Sequence, residues 1–147
     1  MTVIAAIGEK QSESQVVSVA YDLASAYGDD LVVLHVIPTK AFEEHKETIQ
    51  SLPEFSDYSF TQEEDNAAKF AKRVVEVTLD EFDDDVISTA GRVGDPVEEI
   101  LDVAESHDAR YLVIGGKRRS PAGKALFGST TQALLLNATR PVVTVME

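Results

Sequence analysis

Four short stretches of this chain are almost continuously apolar: Val3–Ile7, Leu31–Ile37, Tyr111–Ile114 and Val142–Met146. A strand with one wet face alternates polar and apolar residues, whereas a strand covered on both faces does not. Runs this short therefore read as strands of a parallel sheet with helices above and below it. A fifth segment, Val86–Ala90, is more polar and suits an edge strand. No run approaches the roughly 18 apolar residues of a membrane span. The opening Met1–Gly8 lacks the basic start of a secretion signal and turns polar at Glu9, so it reads as a first strand. A cytoplasmic location is expected.

Helical patterns fall between these strands. Val16, Val17, Ala20, Leu23 and Ala24 recur at three- and four-residue spacing, as do Ala67, Phe70, Ala71, Val74 and Val77, which predicts two amphipathic helices. A third opens with the clearest local signal. Asp95 is an N-cap, Pro96 takes the first helical position, and Glu98 completes a capping box ahead of the stripe Val97, Ile100, Leu101 and Ala104. A fourth covers about Ser129–Asn137 and stops before Pro141, which cannot continue it. Strand and helix alternate, and right-handed crossovers then give an α/β domain. The expected fold is a doubly wound five-stranded parallel sheet with helices on both faces, a Rossmann-like or flavodoxin-like three-layer sandwich. One domain is expected to span residues 1–147.

Pro38–Phe60 is the irregular part, with a short helix expected around Phe42–Gln50 and then the turn-rich Leu52–Tyr58. It leaves the second strand at the edge of the sheet where such folds bind ligands. Phe55, Tyr58 and Phe60 are candidates to cover a bound ring; the plainer alternative is that they hold a long loop to its own body.

Charge is unevenly distributed. The net charge is −13, yet Ala109–Met146 carries six basic residues and no acid. The excess acid repels polyanions, so neither nucleic acid nor an anionic membrane is an expected partner. Its dispersal suits a surface adapted to high salt, as in a halophile, although ordinary acidic proteins share it. With no cysteine, disulfides and thiolate metal sites are excluded.

Four of the six bases, Lys117, Arg118, Arg119 and Lys124, lie in one glycine-bearing loop after the fourth strand. That loop runs toward Gly128-Ser129-Thr130, which reads as a helix start. Gly115 and Gly128 let backbone amides approach an anion, Ser129 and Thr130 add hydroxyls at a positive helix end, and the bases add charge. The alternative is a glycine-rich β–α connection with solvated cations. A Walker A loop is absent, because Arg118 and Ala125 occupy positions that it gives to Gly and to Ser or Thr. G-x-G-x-x-G is absent after the first strand, where only Gly8 appears.

The layout resembles the universal stress protein family, within the adenine-nucleotide alpha-hydrolase-like group. The resemblance runs through the opening strand, Val33-Leu34-His35-Val36, Gly94-Asp95-Pro96, Tyr111–Gly115, and Gly128-Ser129-Thr130 on to Arg140–Val145. The family's ATP pattern, G-x2-G-x9-G-[S/T], is matched in spacing by Gly115, Arg118, Gly128 and Ser129, with arginine at the second glycine. Gly8 stands where members commonly carry an Asp that contacts the ribose. The resemblance implies ATP or a related adenine nucleotide, with magnesium as its possible companion. The adenine would meet backbone near Ala6 and Val36, and the phosphates would meet Gly115, Arg118, Gly128, Ser129 and Thr130. It also implies a homodimer through Val142–Met146.

Catalysis finds only weak support in the residues. His35, His45 and His107 lie in different elements without metal-ligand spacing. His35 reads as a core histidine, and the other two as solvated. The chain is therefore expected to be a regulatory nucleotide-binding protein, not an enzyme, acting through ordering of the Gly116–Phe127 loop. A nucleotide-independent dimeric interaction module and a slow nucleotide hydrolase are the alternatives.

Overall fold

β1 (Thr2–Ile7), β2 (Asp30–Pro38), β3 (Ile87–Gly94), β4 (Ala109–Gly116) and β5 (Val142–Met146) form one sheet in the order β3-β2-β1-β4-β5. All four pairings are parallel. The computed structural model describes residues 1–8, 13–50, 60–116 and 128–146. Five helices connect the strands: α1 (Glu13–Tyr27), α2 (Thr39–Gln50), α3 (Phe60–Thr78), α4 (Pro96–Ser106) and α5 (Ser129–Asn137). The expected doubly wound α/β fold is present.

The apolar runs divide by residue parity, as a period of two requires. Val3, Ala5, Ile7, Leu31, Val33 and Val113 pack on one face against Val16, Val17, Ala20 and Ala24 of α1 and Ala71 and Val75 of α3. Ile4, Ala6, Val32, Leu34, Val36, Leu112 and Ile114 pack on the other, against Ile100, Val103 and Ala104 of α4 and Leu134 of α5. Each central strand is thus covered on both sides, which is why its sequence shows no polar alternation.

Three local expectations are corrected. Val77 is 79% exposed, because α3 buries Glu63, Ala67, Ala71 and Val75 at every fourth position, and that phase turns Val77 outward. The edge strand runs to Gly94 and excludes Val86. Its continuation past Ala90 depends on Gly91, where a Cβ would come within 2.7 Å of the Ala67 Cβ and the Ala68 nitrogen of α3. The helix after β2 begins at Thr39, directly at the strand end, so two helices separate β2 from β3.

Helix ends follow the local sequence. Asp95 Oδ1 accepts from the Glu98 amide at 3.1 Å, and Pro96 opens α4. At the end of α1, Gly28 takes φ +67. Its amide donates to the Ser25 carbonyl, and the Asp29 amide donates to that of Ala24 at 2.8 Å, which is the Schellman arrangement. His107 is the C-cap of α4, its ring Nδ1 2.9 Å from the Val103 carbonyl, and the residue is exposed, as expected from sequence.

The turn after α1 carries Asp29 into a buried position, where Oδ2 accepts from Arg110 Nε at 2.6 Å. Arg110 lies over the Tyr27 ring at 4.3 Å, and the Tyr27 and Tyr111 hydroxyls are 3.1 Å apart. The Arg110 hydrogen bond holds the Asp29 carboxyl below its ordinary value, against the opposing effect of burial. The contact with Tyr27 raises the Tyr111 phenol. These charges sit at the amino ends of the strands, away from the edge described next.

Candidate ligand crevice

In the strand order β3-β2-β1-β4-β5 the chain first winds outward from β1 through β2 to β3, then returns to β4 on the other side of β1. The connections at the carboxyl ends of β1 and β4 therefore diverge, and a crevice opens between them. Here it measures about 720 Å³, within the range of small-molecule sites. Its floor is the ends of the strands, including Ala6, Gly8, Val36 and Gly115, and its walls include Ile100 of α4 and Leu134 of α5.

Seven of the eight residues singled out from sequence line this one crevice: Ala6, Gly8, Val36, Gly115, Gly128, Ser129 and Thr130. Arg118, with Lys117, Arg119 and Lys124, lies outside the described residues.

The α5 end of the crevice is suited to an anion. Gly128 is the N-cap and makes no side-chain capping bond, and the first bond of the helix runs from the Gln132 amide to the Gly128 carbonyl at 2.9 Å. The amides of Ser129, Thr130 and Thr131 consequently have no carbonyl of their own helix to meet. They concentrate the positive end of the helix at the crevice, with three hydroxyls alongside. Thr131 fixes the geometry by donating from Oγ1 to the Gly115 carbonyl at 3.0 Å. Gly116 lets β5 come close, since a Cβ there would fall 2.6 Å from Thr144 Cγ2 and 2.7 Å from Met146 Sδ. Amides and hydroxyls in this arrangement suit an anion, and apolar walls suit a ring. Among the described residues no group of three or more His, Asp or Glu could hold a metal ion.

The histidines are placed differently from one another. His35 is buried in β2 and its Nδ1–H donates to the Ile7 carbonyl at 2.9 Å, while its ring packs on Phe70. This is the core histidine read from sequence, though it also borders the crevice. His45 of α2 is not simply solvated: its Nδ1 lies 2.9 Å from Oε1 of Glu63 in α3. Phe60 packs edge-on to Phe42 at 5.3 Å, holding α3 to α2, whereas Phe55 and Tyr58 lie outside the described residues. Sequence reasoning missed His45 and Thr131 as crevice residues. The threonine was legible as part of the helix start; the histidine had no local signal.

A three-layer parallel domain with a crevice at its strand switch, and with a glycine-capped helix opening beside that crevice, belongs to the class of doubly wound α/β proteins. The sequence model of the universal stress protein family matches residues 1–146, and the chain belongs to that family. A universal stress protein of Mycolicibacterium smegmatis is 49% identical over 51 residues, a stretch that is 35% of this chain and 39% of that relative. The chain thus spans well under half of that relative's length in the match. Among solved structures, a universal stress protein in complex with cAMP is 18% identical, with a TM-score of 0.63, over 99% of this chain and 96% of the other. The universal stress protein from Archaeoglobus fulgidus in complex with dAMP is 19% identical, with a TM-score of 0.58, over 98% and 96%. Among the described residues no helix is long and apolar enough to cross a membrane.

Proposed function

We propose that this protein is a regulatory member of its family that binds an adenine nucleotide in the crevice, without a catalytic role. The observation that carries this is the glycine-led start of α5 opening into the crevice where the strand order reverses. The phosphate sits against the Ser129, Thr130 and Thr131 amides, and the base lies over the ends of β1 and β2 at Ala6 and Val36. Backbone groups there bind without depending on side-chain identity, so Gly8 in place of an acid weakens the ribose end only. The fold's likeness to proteins solved with cAMP and dAMP supports the adenine class. In the same proposal the chain is a homodimer through β5. That strand is at the sheet edge with all five residues half-buried, an arrangement that invites pairing with a second copy.

The test is calorimetry with AMP and with ATP plus magnesium in high salt, for the unsubstituted protein and Gly128→Glu. Gly128 has φ −60, so glutamate adds no backbone strain and places a carboxylate where the phosphate would sit. Binding that the substitution abolishes supports the site; no binding of either nucleotide overturns it. Phosphate release that tracks the folded protein would instead favour a hydrolase. Sedimentation reads the dimer.

A further inference from the structure

His45 stands at the far end of the crevice from the α5 cradle, on the helix that leaves β2. Its imidazole is fixed from behind. Nδ1 meets Oε1 of Glu63 at 2.9 Å, and the Glu63 side chain is 4% exposed against 58% for His45. Glu63 is not among the residues lining the crevice, whereas His45 is. The two nitrogens of an imidazole diverge around the ring, so committing Nδ1 to Glu63 leaves Nε2 on the side away from that carboxylate, on a residue that lines the crevice. Facing a carboxylate, Nδ1 must donate; in the neutral ring it holds the only N–H proton, and Nε2 offers a lone pair. The Phe42–Phe60 contact holds the same two helices together, so the ring's position is set by two independent links.

We propose that His45 is a specificity-determining residue that accepts a hydrogen bond from the 6-amino group of an adenine base, with Glu63 as its positioning residue. The proposal rests on the nucleotide reading above. With phosphate at the α5 end, a nucleotide crosses from β4 over β1 to β2, two strand spacings or about 10 Å. Its base then lies over Ala6 and Val36, and the outer edge of the base reaches toward Pro38, Ala41 and His45. A 6-oxo purine would present an oxygen lone pair to the Nε2 lone pair and lose the bond.

The experiment compares AMP with IMP by calorimetry at neutral pH, where the 6-oxo base keeps its N1 proton. For the unsubstituted protein AMP should bind roughly tenfold more tightly than IMP, as expected when a polar group in a site is left facing the wrong partner. In His45→Ala that ratio should fall to near one, through weaker AMP binding. Because the alanine leaves the buried Glu63 carboxylate without this partner, the double variant His45→Ala/Glu63→Gln is measured as well and should give the same ratio. Glu63→Gln alone, with the ring no longer held by a charge, should give an intermediate ratio. Binding of both nucleotides with an AMP:IMP ratio unchanged in the double variant overturns the role of His45 while leaving the nucleotide site intact. Binding of neither nucleotide to the unsubstituted protein overturns both.

Discussion

Arg110 Nε donates to Oδ2 of Asp29 at 2.6 Å, joining the start of β4 to the turn that closes α1 across 81 residues of sequence. Arg110 holds the carboxyl of Asp29 below its ordinary value. A depressed carboxylate contributes stability that is present above the ordinary value, about 3.9, and is lost as pH falls through the folded one. Asp29→Asn should therefore lower the urea midpoint at neutral pH. The gap between variant and parent should narrow below about pH 4. A gap that stays constant from pH 7 to pH 3 would show that the carboxylate charge contributes nothing.

Gly28 at φ +67 ends α1 in a conformation that a Cβ disfavours. No atom lies within 4 Å of a Cβ placed there, so the cost of Gly28→Ala is conformational alone. A loss of about 1 kcal/mol is expected in urea unfolding, with the crevice unaffected and nucleotide affinity unchanged.

Thr131→Val removes the hydroxyl that bonds the Gly115 carbonyl at nearly constant shape. Stability should fall by about 0.5–1.5 kcal/mol. Unlike Gly28→Ala, this change should also weaken nucleotide binding, because the start of α5 is no longer tied to the end of β4. Thermal melts and calorimetry on the same preparations separate the two effects.

A net charge of −13 on 147 residues repels itself in the compact state. Raising the ionic strength from about 0.1 to 1 M shortens the screening length from about 10 to 3 Å. The thermal midpoint should rise by at least about 3 °C, the shift that roughly 1 kcal/mol produces in a domain of this size. A flat or falling midpoint would argue against a surface adapted to salt.

Elements whose cause is local were legible in the sequence. The bounds of α5 at Ser129 and Asn137, the Asp95 cap and the doubly covered strands all follow from a few adjacent residues. What was hidden depends on partners distant in sequence. β3 continues through Gly91 because α3 presses against it there, and no strand propensity announces that. His45 meets Glu63 across 18 residues that include the turn-rich segment, so neither side chain revealed the other. At the crevice, the spacing of Gly115, Gly128 and Ser129 pointed to residues that do gather there. That spacing could not indicate that α2 supplies the opposite end.

Ala6, Val36 and Gly115 reach the crevice because their strands stop there, and what they offer is main chain. A cradle of this kind is robust to substitution and fragile to changes in length. Most side chains around it can be exchanged while its amides and carbonyls stay in place. One residue inserted before the end of β1 or β4 would turn every following side chain to the opposite face and carry the strand's last peptide past the crevice. Evolutionary drift in such a protein should be frequent in identity and rare in register, with insertions collecting in the connections beyond the strand ends.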